Sequence, residues 1–134
     1  PDFEEQFEGK PLYETLLVPT RLYYQDIHKV LEEAPLYGIA HITGGGLYEN
    51  VPRIIPEGLC AIIDASKIQI PTVMQELEKR GNIAREEMFG TFNMGVGMVL
   101  VTDENHVDKI LDLLEDAYVV GEITEGSEKI DLKF

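Results

Sequence analysis

Apolar positions recur along this chain with two different periods. In "QDIHKVLEEA", Ile27, Val30, Leu31 and Ala34 return every three or four residues, which predicts a helix over 25–34 with one apolar face. Val107, Ile110, Leu111 and Leu114 repeat that spacing and predict a second amphipathic helix, started by Thr102 and Asp103. Val73, Met74 and Leu77 mark a third in "PTVMQELEKR", with Pro71 in its first turn and Gly81 as its C-terminal cap. Shorter helices are predicted in "PLYETLLVP" (11–19), between Pro11 and Pro19, in "LYENVPRII" and in "AREEMFGTF". Five other runs read as strands: "YGIAHIT", "GLCAIID", "MGVGMVLVT", "AYVVGEIT" and the terminal "EKIDLKF". The run "GLCAIID", 58–64, is almost continuously apolar, as expected when both faces of a strand are covered.

Helices thus come first, and strands then alternate with helices. The order predicts an α/β (α+β) domain, a layered mixed β-sheet of about four to five strands flanked by helices. Residues 1–10, "PDFEEQFEGK", are polar and acidic and read as a linker or N-terminal arm; residues 11–134 form the single domain.

Composition narrows the function. The chain has 134 residues, 44% of them apolar, enough for one domain with a proper core. Its formal charge of −14 repels nucleic-acid phosphates and anionic lipids, and it has no basic stripe. Nucleic acid is therefore not an expected partner. No apolar run approaches the ~18 residues of a membrane span, and the acidic N-terminus is no signal peptide. A cytoplasmic protein with no membrane partner is expected. Cys60, the lone cysteine, sits in an apolar run and reads as a core residue. His28 and His106 lie among charges, as surface residues do, and no histidine pair has metal-ligand spacing, so no protein metal site is expected.

Three stretches carry candidate chemistry. "HITGGG", 41–46, places a glycine-rich turn between a strand and a helix, an arrangement that aims backbone N–H groups at an anion. It lacks the Lys-Ser/Thr of a phosphate-binding loop and the spacing of a dinucleotide fingerprint. A plain tight turn with positive φ angles explains it equally well. His41 is either a structural or a catalytic histidine. In "TFNMGVGMVLV", Gly95 and Gly97 alternate along a strand, so a backbone or a ligand is expected against that face, and Asn93 offers a donor and an acceptor. In "VPTRLY", Arg21 beside Thr20 suits a phosphate or carboxylate, or a surface ion pair.

Taken together, "LLVPTRLYY", "GIAHITGGGLYENVPRIIPEGL" and "EEMFGTFNMGVGMVLV" resemble, in order and spacing, the C-terminal domain of aminoimidazole ribonucleotide synthetases, the phosphoribosylformylglycinamidine cyclo-ligases. The resemblance covers about residues 10–124. It implies ATP- and Mg²⁺-dependent closure of formylglycinamidine ribonucleotide to aminoimidazole ribonucleotide in purine biosynthesis, with release of ADP and phosphate. It also implies an N-terminal domain holding most of the ATP and Mg²⁺ site, an active-site cleft between the domains, and a full-length homodimer. On this resemblance Thr20, Arg21, Thr43, Gly44, Gly45, Gly46 and Gly95 are expected to bind substrate or phosphate, and His41 and Asn93 to be catalytic. The 134 residues alone are expected to be inactive. The alternatives are a domain of a sibling ATP-dependent enzyme, similar to selenophosphate synthetase or formylglycinamidine ribonucleotide synthetase, and a free-standing phosphometabolite-binding module.

Overall fold

The computed structural model describes residues 6–7, 10–11 and 24–134. The first two segments pair as short antiparallel strands, β1 (Gln6–Phe7) and β2 (Lys10–Pro11). The five longer strands divide between two sheets. In one, β3 (Gly38–His41) runs antiparallel to β5 (Met98–Val101), with Gly38 opposite Val101 and His41 opposite Met98. In the other, β4 (Leu59–Asp64) lies between β6 (Gly121–Glu125), antiparallel to it, and β7 (Ile130–Lys133), parallel to it.

The division has a simple cause. Both edges of β4 are occupied by β6 and β7, so the β3–β5 ladder joins it through side chains instead. Ala40 and Ile42 from the first sheet share one buried cluster with Ala61, Ile63 and Leu132 from the second. The strand count agrees with the four to five expected; the single layered sheet becomes two.

Among the described residues five helices accompany these strands: α1 (Tyr24–Glu33), α2 (Gly46–Asn50), α3 (Thr72–Gly81), α4 (Arg85–Thr91) and α5 (Val107–Leu113). A 3-10 turn, Pro52–Ile54, follows α2 directly. Leu47 and Val51 pack with Met88, Phe89 and Met94 in the main core. Val30 of α1 and Ala34 just after it meet Ile110 and Leu114 around α5 in a second, smaller core, which buries the two apolar stripes expected from their helical spacing.

Several boundaries depart from the sequence reading. The helix expected from Thr102 begins at Val107, because the Asp103 carboxylate takes the Asn105 N–H at 3.0 Å and contacts His106 Nδ1 at 2.6 Å, holding the chain in a turn. His106 is half-buried, with its Nδ1 against the Asp103 carboxylate. The cap of α3 is Asn82, at φ 49 and ψ 45, while Gly81 stays helical. The strand expected from Met94 begins only at Met98, because Met94 (φ 54) and Gly95 (φ 91) are left-handed and cannot extend. Gly95 therefore sits in a turn, not on a strand face. The strand expected over 117–124 begins at Gly121. The helix predicted over 11–19, apart from Pro11 in β2, lies outside the described residues.

Candidate functional site

Beyond the end of β3 the ladder makes one more bond, from the Ile42 N–H to the Gly97 carbonyl at 3.0 Å. That bond brings the "HITGGG" and "NMGVG" segments together at one end of the β3–β5 pair. The chain then turns through Thr43–Gly45 into α2, closed by the Gly46 N–H on the Thr43 carbonyl at 3.0 Å.

The three glycines have three different surroundings. A Cβ on Gly44 would meet nothing within 4 Å. Gly45, at φ 90, has the Glu49 side chain folded over it. Gly46, at φ 61, lies against α4: a Cβ there would collide with the Phe89 carbonyl and come within 2.5 Å of the Phe92 carbonyl. Gly45 and Gly46 are thus required by internal packing and backbone conformation. Only Gly44, with its exposed neighbours Thr43 and His41, leaves the backbone open to a ligand.

Asn50 holds the turn in place, and the sequence reading assigned it no role. It is 4% exposed, the one buried polar side chain among the described residues. Its Nδ2 donates to the Gly46 carbonyl at 2.7 Å and to the Thr43 and Gly44 carbonyls at 3.3 Å. Its Oδ1 accepts from the Thr43 hydroxyl at 3.3 Å and from Arg53 Nη1 at 3.4 Å. A signal was available: Leu47, Asn50 and Val51 share one helical face, so a polar group was due to be buried there and had to be satisfied.

The second segment is a turn of the same kind. Asn93 Oδ1 accepts the Gly95 N–H at 2.9 Å, and its carbonyl accepts the Val96 N–H at 3.0 Å. Met94 between them is fully buried. A Cβ on Gly95 would lie 2.5 Å from Pro71 Cδ and 3.0 Å from the Gln69 carbonyl, so this glycine serves packing. Asn93 is half-buried with its oxygen engaged in the turn. The structure therefore brings His41, Thr43–Gly46 and Asn93–Gly95 to one end of one sheet. Thr20 and Arg21 lie outside the described residues.

Two further features bear on the chemistry. On α2, Tyr48 has its phenol pushed above its ordinary pKa, first by burial and then by the carboxylates of Glu86 and Asp131, so it stays a neutral hydroxyl. Separately, an apolar groove of about 320 Å³ runs between β5 and residues 117–123. Of the predicted site residues only Gly95 lines it, so the groove adjoins the Asn93–Gly95 turn but not the Thr43–Gly46 turn. No group of three or more His, Cys, Asp or Glu side chains among the described residues is placed to hold a metal ion.

An α/β domain carrying these two glycine turns at the end of one β-ladder matches the family described as AIR synthase related protein, C-terminal domain, over residues 2–133, and the chain belongs to that family. Its relatives are more specific. It is 47% identical over 133 residues to a phosphoribosylformylglycinamidine cyclo-ligase of Staphylococcus carnosus, covering 96% of this chain and 39% of the relative. It is also 47% identical to that of Finegoldia magna, over 96% of this chain and 40% of the relative. The cyclo-ligase of Coxiella burnetii is 46% identical over 93% of this chain and 37% of its own length. The chain spans about two-fifths of the length of the curated relatives it matches. No described helix is long and apolar enough to cross a membrane.

Proposed function

We propose that this chain is the C-terminal part of a cytoplasmic phosphoribosylformylglycinamidine cyclo-ligase, acting with an N-terminal domain in a homodimer on formylglycinamidine ribonucleotide. The observation that carries the reading is the identity of 47% to a named cyclo-ligase over 96% of this chain. The sibling enzymes and the free-standing module are not favoured, since those relatives share one name. ATP supplies the phosphoryl group that turns the substrate's formyl oxygen into a leaving group. Most of its site, and that of Mg²⁺, belongs to the N-terminal domain.

The task left to this domain is to hold the substrate so that its internal amine faces the activated carbon; such positioning is a large source of rate for a ring closure. His41, exposed at the end of β3, and the Asn93 amide are the groups that orient the substrate's amide and amine. Thr43 and Gly44 offer exposed backbone to a phosphate. Gly45, Gly46 and Gly95 give the wall its shape. Thr20 and Arg21 are the remaining candidate contacts to substrate or phosphate. The test is a ring-closure assay of a full-length cyclo-ligase carrying this domain beside the 134 residues alone. ATP-dependent product is expected from the first and none from the second; turnover by the 134 residues alone, or none by the full-length protein, would overturn the proposal.

A further inference from the structure

We infer that Arg53 is the cation of this site, set in place by Asn50 so that its guanidinium and the open Thr43–Gly44 backbone face one phosphate group of a ligand. The inference rests on the proposed reading of that turn as a ligand-facing wall. Arg53 follows α2 by one turn, and its Nη1 donates to the same Asn50 oxygen that accepts from the Thr43 hydroxyl. Guanidinium and hydroxyl therefore flank a single buried amide. A guanidinium has five N–H donors, and among the described residues only this bond to Asn50 engages Arg53, with no carboxylate beside it. Glu49 is four residues earlier, at the usual spacing for an ion pair, yet its side chain lies over Gly45. That carboxylate closes the Gly45 side to an anion and leaves the Thr43–Gly44 side open.

The remaining donors of Arg53 have the fork geometry that suits a phosphate oxygen pair. Such a contact is short-ranged, and it places a positive charge at the turn in a chain of net charge −14. Asn50 is then a positioning residue. It touches no ligand and acts by fixing both the turn and the guanidinium.

The test uses a full-length cyclo-ligase carrying this domain. Arg53→Ala should raise KM for one phosphate-bearing substrate about ten- to a hundred-fold, with kcat within about threefold, and Arg53→Lys should recover part of the loss. Whether the affected KM is that of ATP or of the ribonucleotide identifies whose phosphate is held. In a double-mutant cycle, Asn50→Ala should raise the same KM and make Arg53→Ala nearly silent; additive losses would remove the positioning role. An unchanged KM in an active Arg53→Ala enzyme would overturn the inference while leaving the proposed function standing. If the wild-type enzyme closes no ring, inorganic pyrophosphate titrated into the isotopically labelled full-length protein decides alone. Shifts at Thr43 and Gly44 that vanish in Arg53→Ala support the site, and their absence refutes it.

Discussion

Replacing one glycine at a time separates packing from ligand contact within "TGGG". In Gly46→Ala the new methyl meets the Phe89 carbonyl and stands 2.5 Å from the Phe92 carbonyl, where ordinary van der Waals contact starts at 3.4 Å. Both obstacles are backbone at the end of α4, so neither can swing aside, and α2 must move by about an ångström. Overpacking of that kind costs about 1–3 kcal/mol. The left-handed φ of 61 adds roughly 1–2 kcal/mol for any residue with a Cβ. Together the loss is about 3 kcal/mol, a large share of the ~5–15 kcal/mol that stabilises a typical domain. In Gly44→Ala the methyl meets nothing within 4 Å and φ is not positive, so the change should stay within about 0.5 kcal/mol. Urea unfolding followed by circular dichroism reads both. The midpoint should fall by on the order of 1.5 M for Gly46→Ala and stay nearly constant for Gly44→Ala. Equal midpoints for the two variants, or a Gly46→Ala protein as stable as wild type, would refute the division of roles drawn here.

Three other outcomes follow from the same geometry. Asn50→Ala leaves the Thr43, Gly44 and Gly46 carbonyls without their shared donor and should cost about 2–4 kcal/mol, read as a lower urea midpoint and faster amide exchange at Gly46. Gly95→Ala combines a φ of 91 with a methyl 2.5 Å from Pro71 Cδ, and calorimetry should show a melting temperature lower by roughly 10 °C. Asp64, bonded by the Ser66 hydroxyl and N–H, and Asp103, bonded chiefly by His106, are both held below the ordinary Asp pKa of 3.8. Their ionised forms therefore stabilise the fold fully above that value and less as pH falls through their folded values, so Asp103→Asn should make the acid-unfolding curve below pH 3.8 shallower.

The sequence made legible what depends on local periodicity. The apolar run of β4 and the stripes of α1 and α5 each lie where their spacing put them, and the two stripes pack on one another. It hid what depends on a neighbour distant along the chain. Nothing in "TGGG" says that α4 will end against Gly46, or that Pro71 will lie on Gly95. The strand assigned to 94–102 overran its start for a related reason: the left-handed turn at Met94 and Gly95 is fixed by burial of the Met94 side chain and by the Asn93 oxygen, not by apolar alternation. Asn50 was readable in principle, because a polar residue on the face of Leu47 and Val51 had to find partners. Which partners it found required the fold.

Charge makes the same point about the site. A net charge of −14 says that this surface repels anions, and the substrate proposed for the site is an anion. The conflict is resolved by distance. At physiological salt, exposed charges are screened beyond about 8 Å, so acidic groups on remote faces matter little to a ligand already seated at the turn. What matters is which cations near it are free of carboxylates. Elsewhere on the described surface Arg80, Arg85, Lys109, Lys129 and Lys133 each lie against an acidic side chain, and Lys29 lies against the Leu113 carbonyl. Arg53 lies against an amide oxygen instead, beside the one glycine of three whose backbone is open. A chain this acidic can hold a phosphate only with short, oriented contacts of that kind, and the buried Asn50 is the group that orients them.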